Sequence, residues 1–302
     1  MSAGTSHPVP TIAARSAGSA WGAGIASALC YGITPIVAIM AFGDGVSPSV
    51  LVTLRGFVGA AALLAFCALT HRLRALPRGP ALGLFAVCGP LFGAQILAYF
   101  AAIERTGAQL AVIVIHVYPV FVIALVWWQT RRPVSRAVVT VCAVLCVGIA
   151  LVAGTAAGVA EPVGVGLAVI SAAGYAGYFV CGERWVHRVD AVTATALVTL
   201  GSAVSVGVVA AVTHADFAIG AGGWAAVISQ GLILIPIGIG GALYAVRRLG
   251  SVPVSLLGLL EPVIAILLAA ALLGERLPLP QWAGVGIVLV ACAALPRVTR
   301  GV

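Results

Sequence analysis

Charge is the scarcest feature of this sequence. Only 8% of its 302 residues are charged, whereas 62% are hydrophobic and the mean hydropathy is +1.17. Water-soluble domains carry about 25% charged residues, so the composition excludes a soluble domain and predicts an integral membrane protein. The sixteen basic residues, all arginines, are scattered singly between apolar runs. Nucleic-acid binding needs basic residues clustered on one exposed face, so no nucleic-acid partner is expected.

Long polar segments and catalytic motifs are missing as well. The segments between the apolar runs are too short for a nucleotide-binding domain, and neither a P-loop nor a GxGxxG sequence stands before a helix in the required context. The five histidines show no metal-ligand spacing, and no set of nucleophile, histidine and acid is evident. No enzyme activity, cofactor or metal is therefore predicted.

Ten apolar runs, each of about the 20 residues that a helix needs to cross a bilayer, follow one another along the chain. They cover residues 20–42, 49–69, 80–103, 109–129, 134–154, 163–184, 192–213, 224–246, 252–273 and 281–296. Since such a run can satisfy its backbone in lipid only as a helix, an all-α integral membrane protein with ten transmembrane helices is predicted. Residues 1–18 are expected to form a disordered cytoplasmic tail and residues 297–302 a short second tail.

The arginines are divided unequally between the two sides of the membrane. When successive loops alternate between the sides, thirteen arginines fall on the side that holds both termini, and only Arg105 and Arg276 fall on the other. Positively charged loops stay in the cytoplasm. We therefore expect a multi-pass protein of the inner (plasma) membrane with both termini in the cytoplasm. Arg55 belongs to neither group because it lies within the second run.

The two halves of the chain contain similar segments. "RTGAQLAVIVIHVYPVFVIALVWW" around the fourth run matches "RLGSVPVSLLGLLEPVIAILLAAALL" around the ninth, with Pro119 laid on Pro262. "SALCYG" in the first run likewise parallels "SAAGYAG" in the sixth, which lays Tyr31 on Tyr175. Because each half has an odd number of helices, the two copies must be inverted relative to each other in the membrane. Secondary transporters are often built in this way, and their sites lie near the midplane where the repeats meet.

Two segments of the sequence resemble the EamA domain of the drug/metabolite transporter superfamily. "EPVIAILLAAALLGERLPLPQWAGVGIVLVACAAL" is similar to the end of that domain, and "SPSVLVTLRGFVGAAALL" resembles its second helix. The resemblance covers residues 19–155 as a first five-helix repeat and residues 162–296 as a second. It implies a secondary transporter that moves small metabolites, often amino acids or related compounds by export, through a central cavity and by alternating access. The implied partners are a small-molecule substrate and membrane lipid. Whether protons are the coupling ion, and whether the protein is a monomer or a homodimer, stays open.

Glu261 lies in the middle of the ninth run, where a charge costs at least about 2.5 kcal/mol. At 1.5 Å per helical residue, it comes close to the bilayer centre, in the same layer as Arg55, Gln95 and His116. Arg55 could reach Glu261 and neutralise it, or Glu261 could accept hydrogen bonds where Pro262 disturbs the helix. The functional alternative is that Glu261 faces the cavity and binds a substrate ammonium or cycles protons.

Candidates for the substrate pathway share a polar side chain inside an apolar run. They are Glu261, Arg55, His116, Gln95, Tyr31, Tyr175, Tyr99 and Tyr244. Candidates for hinges or for close helix packing are Pro119, Pro262, Gly89, Gly93, Pro236 and Gly240. The alternatives to transport are a membrane receptor or scaffold, which would need no polar midplane, and a membrane-embedded enzyme. A proton gradient, facilitated diffusion and exchange all stay open as the driving force.

Overall fold

The computed structural model describes residues 12–74, 76–106, 108–132, 134–153, 161–273 and 278–299. Within them the chain forms ten helices: α1 (Ile12–Gly43), α2 (Pro48–Leu69), α3 (Arg78–Thr106), α4 (Ala108–Ile115 and Tyr118–Thr130), α5 (Arg136–Ala153), α6 (Pro162–Val186), α7 (Ala191–Val212), α8 (Ala221–Leu249), α9 (Ser251–Leu257, Gly258–Leu260 and Glu261–Leu273) and α10 (Leu279–Val298). Eight of them are long and apolar enough to span a membrane, and α5 and α9 contain shorter apolar helices. The predicted all-α, ten-helix membrane fold is confirmed.

The chain ends differ from the prediction in one respect. Helix α1 begins at Ile12, so residues 12–18 of the expected disordered tail are helical. The local sequence is rich in alanine, which has the highest helix propensity. Helix α10 likewise continues through Val298, two residues into the second expected tail. The remaining parts of both tails, residues 1–11 and 300–302, lie outside the described residues.

The two halves interlock rather than form separate domains. The most extensive helix contacts all join one half to the other: α2 packs on α7, α3 on α6, α1 on α8 and α5 on α10. Exchanging the halves turns the α3–α6 pair into the α8–α1 pair, as an inverted repeat requires. Helices α4 and α9 meet each other near the centre of the bundle. Large apolar side chains such as Met40, Leu69 and Val290 are exposed on the outside, which suits a surface that faces lipid.

The third helix of each half contains a π-helical turn directly before a proline. Leu84–Cys88 precedes Pro90 in α3, and Gln230–Leu234 precedes Pro236 in α8. The Gly89 N–H bonds the carbonyl five residues earlier, and the equivalent bond closes the turn in α8. A proline has no N–H and clashes with the carbonyl four residues before it, so the wider turn accommodates the ring. Two of the hinge candidates, Gly89 and Pro236, thus lie beside irregular turns.

Helices α4 and α9 are interrupted at equivalent places in the repeat. In α4, residues 116 and 117 form a turn before Pro119, and in α9 the 3₁₀ segment Gly258–Leu260 comes before Pro262. Each proline lacks the N–H that would bond the carbonyl four residues earlier. The hydrogen-bond ladder is therefore broken twice, once in each half, at the level where the repeats meet.

Glycines allow helices of the two halves to approach closely. A Cβ atom added at Gly89 would lie 2.6 Å from the Cα of Gly201, and one at Gly93 would lie 2.9 Å from Val206 Cγ2. Gly240 is less crowded, since its Cβ would lie 3.3 Å from the Thr195 hydroxyl. The hinge candidates of α3 are therefore close contacts with α7, of the kind that small residues provide in membrane bundles.

Replacing Gly89 with alanine is expected to destabilise the protein. The new methyl group would press against the α7 backbone, which has no side chain that can move aside, and such overpacking costs about 1 to 3 kcal/mol. Thermal unfolding in detergent should show a transition several degrees below that of the wild type. Gly166→Ala in α6 is the matched control, because a Cβ there meets nothing within 4 Å. A transition unchanged in Gly89→Ala would contradict the close α3–α7 contact.

Asp190 caps the first turn of α7 and ties it to the end of α2. Its carboxylate accepts hydrogen bonds from the Thr193 N–H at 3.2 Å and from the Thr193 hydroxyl, and it forms an ion pair with Arg72 at 2.9 Å. Ser47 caps α2 in the corresponding way in the first half. Partial burial works to raise the pKa of Asp190, but the bonds from Thr193 and Arg72 outweigh it, so the pKa lies below its usual range.

The lowered pKa of Asp190 predicts a pH-dependent contribution to stability. Such a carboxylate stabilises the fold above the pKa of about 3.9 that it has in the unfolded chain, and the contribution is lost as the pH falls through its lower folded value. Asparagine caps helices as well as aspartate does, so Asp190→Asn removes mainly the charge. The wild type should unfold at a higher temperature than Asp190→Asn at neutral pH, and the two should converge below about pH 4. A constant difference across this range would count against the assignment.

Candidate transport site

A cavity of about 60 Å³ lies among α1, α3, α4, α6 and α9. At about 10 to 15 Å³ per water, it has room for several water molecules. The residues that line it are Tyr31, Gly32, Thr34, Pro35, Gln95, Ile96, Tyr99, Phe100, Val112, Ile115, His116, Tyr118, Tyr175, Glu261, Pro262 and Ala265. We call the side of the bundle where α1 begins and α10 ends the terminal side. Along their helices the lining residues run from the midplane towards the opposite side.

His116 and Glu261 face each other across this cavity, at the breaks of α4 and α9. Their atoms Nε2 and Oε2 are 3.5 Å apart, and the side chains are 6% and 14% exposed. His116 Nδ1 lies 2.6 Å from the Val112 carbonyl oxygen. A carbonyl can only accept a hydrogen bond, so Nδ1 must carry a hydrogen. Nε2 makes no hydrogen bond within the described part of the chain, and it is the ring nitrogen that faces Glu261.

This geometry fixes the charge that the pair can hold. With one proton between them, the pair is either an imidazolium with a carboxylate or a neutral imidazole with a carboxylic acid, and its net charge is zero. Without that proton, His116 is neutral and Glu261 is a single buried carboxylate, which is costly in an apolar interior unless a cation joins it. The site is therefore suited to hold one positive charge, supplied by a proton or by another cation.

Aromatic side chains close the cavity towards the terminal side. Tyr118, Tyr175, Tyr178 and Phe179 are all buried and stack on one another, with 4.7 Å between the ring centres of Tyr118 and Tyr175. We call these four residues the aromatic floor. Tyr31, which the repeat lays on Tyr175, meets that ring edge-on at 6.3 Å.

The Tyr118 hydroxyl joins α4 to α9. It donates a hydrogen bond to the Ser255 carbonyl at 2.8 Å, an acceptor in the turn before the 3₁₀ segment of α9. The hydroxyl occupies the space that a side chain at position 258 would fill, and Gly258 leaves this space open. The bond therefore connects the two repeat-related helices directly beneath the cavity.

Gln95 and Tyr99 line the cavity from α3, as the sequence led us to expect for pathway residues. The Ser171 hydroxyl donates to the Gln95 backbone carbonyl at 2.7 Å and lies 3.2 Å from its side-chain Oε1. Gln95 is thus held by α6, a helix of the other half. Its amide is a fixed polar group in the wall rather than a mobile one.

The expected pair between Arg55 and Glu261 does not form. Arg55 is only 3% exposed, donates a hydrogen bond to Gln230 Oε1, and lies with its guanidinium carbon 5.9 Å from the ring centre of Phe100. The estimate of depth was not enough to decide the pairing, because α2 packs against α7 and α8 whereas Glu261 faces α4. Arg55 lies outside the cavity wall, behind Phe100.

Tyr244 also lies away from the cavity. Its hydroxyl is 3.0 Å from the Ser19 hydroxyl, and the guanidinium carbon of Arg248 lies 5.6 Å from its ring centre. This position near the end of α8 is typical of tyrosines at the membrane interface. The prediction that Tyr244 lines the pathway is therefore corrected.

Sequence reasoning did not select Tyr118, Phe100 or Thr34, although each of them lines the cavity. For Tyr118 a signal was present. When Pro119 is laid on Pro262, Tyr118 falls on Glu261, so the two occupy equivalent positions at the two helix breaks. No pattern in the sequence singles out the other two.

Removal of the Tyr118 hydroxyl should weaken the protein, whereas removal of the Tyr178 hydroxyl should not. Tyr118→Phe leaves the Ser255 carbonyl without its donor and should cost about 0.5 to 1.5 kcal/mol. Tyr178→Phe is the matched control on the same aromatic floor, since its buried hydroxyl has no hydrogen-bond partner among the described residues. Unfolding temperatures in detergent would test this, and an equal effect of the two substitutions would show that the Tyr118 bond contributes nothing.

Comparisons with known proteins agree with this architecture. The EamA-like transporter family matches residues 19–154 and again residues 162–295. One solved structure, named only "Crystal structure of protein", superposes with a TM-score of 0.77 at 17% identity, covering 93% of this chain and 99% of the other. The comparison with curated proteins gives no match at all. At 17% identity the structural likeness shows the fold alone, but the family match spans both repeats. This chain belongs to the EamA-like transporter family.

Proposed function

We propose that this protein exports small metabolites that carry an ammonium group, such as amino acids or related compounds, in exchange for protons. The observation that carries the proposal is the pair of His116 and Glu261, which needs one positive charge and has an orphan Nε2 atom for a shared proton. A proton and a substrate ammonium would compete for the same carboxylate. Only one of them can occupy the site at a time, which makes the two fluxes opposite in direction.

The cavity wall supports an organic ammonium rather than a metal ion. Besides Glu261, the wall is mostly aromatic and aliphatic, with Tyr31, Tyr99, Phe100 and Tyr175 around the space. Aromatic faces attract organic cations, and apolar walls bind hydrocarbon side chains. A small inorganic cation would require several oxygen ligands, and Glu261 supplies the only carboxylate in this lining.

Alternating access follows from the way the two halves are connected. The cavity lies towards the side opposite the termini, and the aromatic floor closes it from the terminal side. With both termini in the cytoplasm, as the arginine distribution predicts, this is an outward-facing state. Access from the cytoplasm requires the floor to open, with Tyr118 leaving the Ser255 carbonyl. The broken helices α4 and α9 and the π turns of α3 and α8 are the places where bending costs the fewest backbone hydrogen bonds.

Export is the direction that this scheme favours in a cell membrane energised by protons. A proton that enters from the outside neutralises Glu261 and releases the substrate outwards. After the change of access, the proton leaves into the cytoplasm, and the exposed carboxylate captures the next ammonium. A receptor or scaffold has no need for a carboxylate and an imidazole that face each other in a midplane cavity, and this pair weighs against both.

Proton exchange can be measured in proteoliposomes that contain purified protein and an internal pH-sensitive dye. We expect amino acids or related amines, added outside in a panel, to release protons from the lumen, and labelled substrate to accumulate when the lumen is more acidic. Glu261→Gln should abolish both signals, because glutamine can neither hold the ammonium nor take up the proton. His116→Gln should lower the rate and shift its pH dependence, since Glu261 then shares its proton with no partner.

Glu104→Gln is the matched control, because Glu104 is an exposed carboxylate at the end of α3. It should transport like the wild type. Normal gradient-driven transport by folded Glu261→Gln would disprove the role of this carboxylate. Uptake of a substrate without any proton movement would contradict proton exchange and would indicate a uniporter or an exchanger of two substrates. No uptake of any compound would favour a receptor or scaffold.

A further inference from the structure

Arg55 is a buried cation without a carboxylate partner. It makes no ion pair among the described residues, and its polar contact is with the neutral amide of Gln230. The ring of Phe100 adds a weak attraction on one side. A charge buried in this way needs a counter-charge or strong hydrogen bonding. Neither Gln230 nor Phe100 supplies the missing negative charge.

Two small chambers of about 10 Å³ each lie against the guanidinium. One opens towards α1 and shares Tyr31, Thr34 and Ile96 with the wall of the transport cavity. The other lies between α2 and α7 and contains the hydroxyl-bearing residues Thr199 and Ser202. Each chamber has room for about one water-sized particle, too little for an amino acid.

Two polar groups near Arg55, one in the wall of the second chamber and one bonded to the guanidinium, have unused hydrogens. Thr199 is 2% exposed, and its hydroxyl makes no hydrogen bond within the described residues. The Nε2 atom of Gln230, whose oxygen is engaged by Arg55, likewise has no partner there. A buried donor that stays unpaired is costly. The surroundings of Arg55 therefore have an excess of donors and positive charge, and a shortage of acceptors.

We propose that Arg55, Thr199 and Ser202 form a binding site for a small inorganic anion of the size of chloride. A halide would neutralise the guanidinium and accept the free hydrogen of Thr199. A carboxylate or phosphate carries several heavy atoms and exceeds the available space. The site lies where α2 of the first half packs on α7 of the second, so the anion stabilises the joint between the repeats. It is separate from the carboxylate of the transport site, and its test by thermal stability does not depend on the proposed exchange.

The test is the thermal stability of the purified full chain in detergent, measured in sodium gluconate with increasing shares of sodium chloride at constant ionic strength. We expect chloride and bromide to raise the unfolding temperature in a saturable manner, with no effect of gluconate. Sodium acetate serves as the carboxylate probe and should have little effect. Thr199→Val, which keeps the side-chain shape and loses the hydroxyl, should weaken the apparent chloride affinity by about tenfold, as expected for one hydrogen bond to a charged group.

The matched control is Thr195→Val, one turn earlier on α7, whose hydroxyl donates to the Ala191 carbonyl at 2.6 Å. It should keep the chloride effect. Arg55→Gln should lose the effect entirely, and if that variant does not fold, Thr199→Val decides. Equal stabilisation in chloride and gluconate would overturn the proposal. So would an unchanged chloride response in Thr199→Val, or a stronger response to acetate than to chloride.

Discussion

The structure depends on the rule that backbone groups inside a membrane must find hydrogen-bond partners within the protein. Pro119 and Pro262 interrupt the helix ladder at equivalent places in the two repeats, and side chains next to these breaks bond carbonyls in the helical turns that precede them. Tyr118 donates to the Ser255 carbonyl, and His116 Nδ1 donates to that of Val112. The second bond fixes the hydrogen of the imidazole on Nδ1, and it thereby turns Nε2 towards Glu261. The bond that holds the imidazole against α4 therefore leaves its other nitrogen facing the carboxylate.

The two repeats place equivalent helix breaks opposite each other, and the side chains that differ between the repeats determine the chemistry of the site. Helices α4 and α9 are broken alike, but Tyr118 stands in α4 where Glu261 stands in α9, and His116 stands where α9 has the buried Leu259. A symmetric pair of glutamates at the midplane would repel each other and would require two positive charges. One carboxylate and one imidazole require a single charge, while the tyrosine closes the cavity from below. In the proposed exchange, this divergence of the halves would set a stoichiometry of one proton or one substrate cation per site.

The sequence allowed the number of helices and the repeat to be predicted, because these follow from the lengths of the apolar runs and from the similarity of the two halves. It did not reveal which neighbour each side chain faces. Soluble helices show this through a polar and an apolar face, but helices that are apolar all round carry little such pattern. Arg55 was therefore placed at a sensible depth and given the wrong partner, and Tyr244 was placed in the pathway. The chance to recognise Tyr118 lay in the repeat, which aligns it with Glu261.

The two buried charged sites also affect each other through electrostatics. Arg55 lies behind Phe100, a residue of the cavity wall, in a region where charges are weakly screened. A bare guanidinium there would lower the affinity of Glu261 for any cation and would favour the empty, anionic state of the carboxylate. Such a state could change its access without cargo and would dissipate the gradient. An anion held at Arg55, as proposed, would remove this repulsion, so that in the proposed exchange the site would change its access only when a proton or a substrate neutralises Glu261.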